Sequence, residues 1–188
     1  LMGLGGFETV RVIEASEFTL SDLTHQGAGI LAISQSVETR DVVRCLELIR
    51  ENRLDVVIFS IVNTVESLIA READCGVYLN AGREVGVAST KSFTNQIIVL
   101  MLIALFFGQH RKLYPERRIQ LIGGLMNVET LINETIEMMK EPCQKLVDRL
   151  SLVKHLFILG RDKGYPIALE GALKIKEISY IHAEGYAS

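Results

Sequence analysis

The sequence predicts an α/β fold organised around a parallel β-sheet, and three observations carry that expectation. Strand-length apolar runs alternate with segments of helical period along most of the chain. One run, residues 55–61 (DVVIFSI), is apolar on both faces, as a strand covered by helices on both sides must be. The 188 residues are 48% hydrophobic, enough to fill a core and incompatible with a disordered chain.

Residues 9–13 (TVRVI) and 29–34 (GILAIS) read as strands. Across residues 38–52, Val42, Val43, Leu46 and Ile49, with Leu54 just beyond, fall near helical spacing with charges between them. Residues 55–61 form the next strand, 65–71 a short helix and 76–79 (GVYL) a short strand. The period is helical over residues 89–107, and again from Pro115, which suits a first helical turn. That second helix runs to about residue 140, where Glu141-Pro142 should break it. Residues 152–159 (LVKHLFIL) restart a strand, and after a polar loop a long helix runs from Pro166 to about His182. A strand–loop–helix unit thus occurs at 29–52 and again at 152–182. One α/β domain is expected over residues 1–135 and the start of a second over 136–188. A lone unit of this kind cannot bury its own faces, so the second domain is expected to be only begun. A chain that opens on Leu1 rather than Met reads as a fragment.

Charge and cysteine usage narrow the function classes. Twenty Lys and Arg against 23 Asp and Glu leave a net charge of −3 with no basic run, which argues against a nucleic-acid binder. Cys45, Cys75 and Cys143 lie far apart, with no C-x-x-C or Cys/His pair at metal spacing, so neither a disulfide framework nor structural zinc is indicated. Cys45, among apolar neighbours, reads as core rather than nucleophile, and His25, His110 and His155 lack acidic or Cys partners at metal spacing. A reducing cytoplasm fits best. The longest apolar run, residues 97–107, has eleven residues, about half of what a bilayer needs. It reads as a buried helix, so no membrane is expected, and the N-terminus lacks the basic region of a signal peptide.

Three motifs could carry chemistry. Residues 34–39 (SQSVET) stand where a strand ends and a helix begins, the place where open α/β sheets bind ligands. Helix N-terminal amides suit a phosphate; Ser34, Ser36 and Thr39 add hydroxyls and Gln35 an amide. Ordinary capping by Ser36 and Thr39 would explain the same residues. In the second, residues 82–91 (GREVGVASTK), two glycines frame a loop and Ser89 could cap the next helix; a ligand-facing loop and a plain turn both fit. The third lies on the long helix, where Glu170, Lys174 and Glu177 stand at i, i+4 and i+7. Such a stripe can be a salt-bridged solvent face. The sharper alternative is a carboxylate base, Glu177, with Lys174 polarising an oxyanion, as an aldose–ketose interconversion requires, and His182 as a donor, though a lone His is more often structural. Residues 160–164 do not match the G-x-G-x-x-G dinucleotide fingerprint.

In this order, the strings 34–39 (SQSVET), 84–94 (EVGVASTKSFT) and 166–184 (PIALEGALKIKEISYIHAE) resemble the sugar-isomerase (SIS) half of the glutamine:fructose-6-phosphate amidotransferase family. The resemblance covers essentially the whole chain. It implies a three-layer αβα sandwich with a flavodoxin-like parallel sheet, obligate dimers and no need of metal or cofactor. It implies that Ser34, Gln35, Ser36 and Thr39 bind the phosphate and hydroxyls of fructose 6-phosphate, and that Val87 and Ser89 close over the sugar. Glu177 falls on the isomerising glutamate and Lys174 on its assisting lysine, with glucosamine 6-phosphate as product and ammonia supplied by a glutaminase domain of the same polypeptide. Val37 stands where the family has glycine, a departure expected to distort the loop or weaken binding. The family's G-T-S loop, glutaminase domain, ring-opening histidine loop and C-terminal lysine are not among these residues, so residues 1–188 in isolation are expected not to turn over. A non-catalytic SIS module that senses a sugar phosphate is the alternative.

Overall fold

The computed structural model describes residues 1–23, 27–35, 39–52 and 54–188. Two compact units divide the chain: Leu1–Glu84 with Thr90–Ile119, and Val85–Ser89 with Gln120–Ser188.

The first unit is built on a sheet of three parallel strands in the order β1 (Gly29–Ser34), β2 (Val57–Val62), β3 (Cys75–Tyr78). Strand side chains alternate between faces, and both faces of β2 are apolar. Ile58 and Val62, with Ala32 of β1, form a core with Leu46 and Ile49 of α2 (Arg40–Glu51) and Ile69 of α3 (Leu68–Glu72). On the other side Ile61, with Leu31 and Phe59, meets Leu79 and the Val99, Leu100 and Ile103 of α4 (Lys91–His110). Helices therefore cover both faces, as the double-sided apolar run demands. The short helix α1 (Met2–Gly5) packs on α4, where Phe7 meets Phe107 edge-on with centroids 4.9 Å apart.

Helix α4 lies within three residues of the expected 89–107 at either end, but the eleven-residue apolar run understates it: an 18-residue stretch has mean hydropathy 1.6, and the helix is long and apolar enough to cross a membrane by length and composition. Its contacts with the sheet make it a layer of this fold. A second correction concerns residues 9–13, which form no strand: in the described residues they have no ladder partner, and Val12 is 97% exposed. Alternation alone does not make a strand without a neighbour to accept its hydrogen bonds.

In the second unit, β4 (His155–Gly160), α7 (Gly164–Ser179) and β5 (His182–Ala187) form a parallel βαβ motif with His155 opposite His182. Small residues set the helix close to the strands. Ala168 and Ala172 are buried, and a Cβ on Gly185 would come within 2.9 Å of the Leu169 backbone. Gly160, at the turn from β4 into α7, is required sterically: a Cβ there would overlap the carbonyl of Gly164. Helix α7 stops at Ser179, short of the expected His182, because Tyr180 turns left-handed (φ 60°) and His182 joins the ladder. Helix α5 (Pro115–Met126) starts at its proline as expected, but α6 (Val128–Leu150) runs through Pro142 and contains residue 135. No residue of α6 is buried, so water can take the carbonyl that Pro142 leaves without a donor.

Candidate active site

The ends of β1 and β2 place the first group of polar residues. Ser34, buried as the last residue of β1, exchanges a hydroxyl hydrogen bond of 2.6 Å with Thr39. Thr39 is the N-cap residue of α2, but its side chain does not cap the helix. The hydroxyl expected to serve as a cap is thus turned toward the strand end. Ser36, Val37 and Glu38 lie outside the described residues.

Gln35 lines an open cleft of about 480 Å³ together with Asn63, Thr64, Val65, Gly82, Arg83 and Glu84. Asn63 directly follows β2, next to the end of β1, as neighbouring parallel strands require. Its amide donates to the Gly82 carbonyl at 2.7 Å, and its carbonyl accepts from Ala81 N–H at 3.0 Å. The loop after β3 is thereby tied to the end of β2. Gly82 adopts φ 70° with nothing within 4 Å of a would-be Cβ, so the backbone conformation, not space, calls for glycine there. Gly86 has no such requirement. Sequence reasoning missed Asn63 and gave Arg83 no role. The signal available was position: Asn63 follows its strand as Gln35 does.

Glu84 has an unexpected place. Its Oε1 accepts from Ser92 N–H at 2.9 Å, from Ser92 Oγ at 2.9 Å and from Thr90 N–H at 3.1 Å. These bonds, foremost the one from the Ser92 amide, hold its carboxyl below the usual carboxylate range, against the opposing effect of burial. Thr90, not Ser89, is the N-cap residue of α4 and makes no capping bond of its own, so the carboxylate of Glu84 caps that helix. Within the loop between, Val85 and Val87 are 94% and 92% exposed.

On α7, Lys174 Nζ lies 2.9 Å from Glu177 Oε2 and 3.3 Å from Glu170 Oε1. The three side chains keep only 21%, 31% and 25% of their exposure, so this is not a freely solvated stripe. Burial opposes the charge of Lys174, but the hydrogen bonds it donates to Glu177 and Glu170, with their negative charges, outweigh it and raise its pKa. A cation fixed between two carboxylates, one of them spaced to act as a base, is an arrangement that can move a proton and stabilise the negative oxygen left behind. His182 is not part of it: its Nδ1 faces His155 Nδ1 at 3.3 Å, with Glu184 3.5 Å from its Nε2. Among the described residues no three His, Cys, Asp or Glu side chains converge as metal ligands would.

Comparison with known proteins gives these groups a context. The family model of the SIS domain matches residues 3–106. The rat glutamine–fructose-6-phosphate aminotransferase [isomerizing] 1 is 46% identical over 153 residues, 81% of this chain and 22% of that protein. The Agrobacterium fabrum aminotransferase of the same name is 42% identical over 183 residues, 95% of this chain and 29% of that protein. The chain thus spans less than a third of the length of these relatives. Among solved structures, the C-terminal domain of glucosamine-fructose-6-phosphate aminotransferase from Francisella tularensis aligns with TM-score 0.78 and 33% identity, over 89% of this chain and 48% of that one. A Clostridium difficile structure with TM-score 0.81 and 21% identity, over 90% of this chain and 48% of that one, shares the fold.

Proposed function

The chain belongs to the SIS-domain family, and from that premise we propose that it is the isomerase portion of a glutamine–fructose-6-phosphate aminotransferase. Residues 1–135 supply a first SIS domain and residues 136–188 the start of a second. Ser34, Gln35 and Thr39, with Ser36, bind the phosphate and hydroxyls of fructose 6-phosphate. The backbone amides at the start of α2 favour an anion there, and Arg83 on the same cleft adds a positive charge. Val87 and Ser89 close over the sugar.

Ammonia, released from glutamine by a glutaminase domain of the same polypeptide, adds to the C2 carbonyl and water leaves. Glu177 takes a proton from C1 and returns it to C2, while the C1 hydroxyl proton is lost and the imine nitrogen gains one, which leaves an aldehyde at C1 and the amine at C2: glucosamine 6-phosphate. Lys174 stays protonated and steadies the negative oxygen during that transfer. The observation that carries the proposal is the part-buried Glu170–Lys174–Glu177 array. The enzyme is placed in the cytoplasm, where its three free cysteines stay reduced. It acts as a homodimer, as the resemblance to the amidotransferase family implies.

The test is to supply the full-length protein with glutamine and fructose 6-phosphate and follow the product by NMR. Steady formation of glucosamine 6-phosphate is expected. Saturable binding of the sugar phosphate without conversion would instead establish a regulatory SIS module.

A further inference from the structure

Five residues, Val85–Ser89, separate two stems that are tied together twice. Glu84 on the first stem accepts hydrogen bonds from Thr90 N–H, Ser92 N–H and Ser92 Oγ on the second, at 3.1, 2.9 and 2.9 Å. Lys91 Nζ on the second stem donates to the Arg83 carbonyl on the first at 3.0 Å. The first stem is braced in turn, because Asn63 holds Ala81 and Gly82 to the end of β2. The second stem is the start of α4, where Ser92 is fully buried. A short loop whose ends are fixed has few conformations left to lose when a ligand orders it. Val85 and Val87 within it are 94% and 92% exposed.

We propose that Glu84 is a positioning residue: its carboxylate clasps the two stems of the Val85–Ser89 loop and so presents Val87 and Ser89 to the sugar phosphate. The inference rests on the function proposed above. Glu84 does not touch the reacting carbons in this scheme; it acts through the loop. The carboxylate suits this task because it can accept several donors at once and meets the positive end of the α4 dipole.

The test uses full-length protein and compares Glu84→Ala and Glu84→Gln with the unsubstituted chain. KM for fructose 6-phosphate, kcat, glutamine hydrolysis without sugar and Tm are measured for each. Freeing the loop should raise KM by roughly tenfold or more, because every lost factor of ten corresponds to one hydrogen bond's worth of organisation. Glutamine hydrolysis should be unchanged, and Glu84→Gln, which keeps one acceptor oxygen, should fall between the other two. A merely structural residue would lower Tm and the active fraction while KM stayed fixed, and that result overturns the proposal. Should Glu84→Ala fail to fold, Glu84→Gln and Lys91→Met carry the same comparison. If the unsubstituted protein shows no saturable fructose 6-phosphate binding, the functional reading falls and the clasp with it; an unchanged KM in the variants overturns the clasp alone.

Discussion

Lys174 sits between two carboxylates, and that position makes its charge a stability element as well as a chemical one. Its pKa is raised, so its contribution is complete below the unfolded value of about 10.4 and is lost as pH climbs through the higher folded value. The Tm advantage of the native chain over Lys174→Met should therefore be level from neutral pH to about pH 10 and shrink above it; thermal melts across that range check it. At the strand end, Thr39→Val removes the hydroxyl that meets Ser34. Calorimetry on the full-length protein should show fructose 6-phosphate affinity falling roughly 3- to 10-fold, the worth of about one hydrogen bond. Much at this scale was legible in the sequence. Glu170, Lys174 and Glu177 share one side of a helix because 3.6 residues make a turn, so their convergence followed from spacing alone. The grip of Glu84 on Ser92 did not, since no local period links a loop carboxylate to a helix start eight residues later.

Strands β1 and β2 and the helices α2 and α7 could be read because burial imposes a pattern that the residues must display. Ile58 is fully buried between β2 and its covering helices. Ile58→Ala should cost about 2–5 kcal/mol in chemical denaturation, as large-to-small core changes do. Asp74 ties β2 to α2. It accepts from the Ile58 amide and from Arg50, both at 2.7 Å, and so joins the start of β2 to α2 just ahead of β3. The Ile58 amide first, then Arg50, hold its carboxyl below the usual range. A carboxylate of this kind gives stability above the unfolded pKa, about 3.9, and loses it as pH falls through the lower folded value. The Tm gap between the native chain and Asp74→Asn should be full above about pH 5 and close in more acidic buffer. Elements were misread where a local rule stood without its tertiary condition. Residues 9–13 alternate but have no paired neighbour among the described residues, and Pro142 sits in a helix exposed enough for water to satisfy the backbone.

For the whole molecule, the α/β class and the parallel strands followed from one double-sided apolar run and the alternation around it. The proposed substrate did not follow from such patterns; that proposal rests on the strings 34–39, 84–94 and 166–184 and their likeness to a known family. The proposed dimer is tested at this scale. Size-exclusion chromatography with light scattering should give a dimer mass for the full-length protein. A monomer at all concentrations would overturn it.

The most direct measurement is the rate of glucosamine 6-phosphate formation by the full-length protein carrying Glu177→Gln, with fructose 6-phosphate affinity measured beside it. Loss of a general base should slow conversion by about 10²- to 10⁴-fold while the sugar phosphate binds as before. Conversion at the unsubstituted rate would contradict Glu177 as the base that moves the proton between C1 and C2.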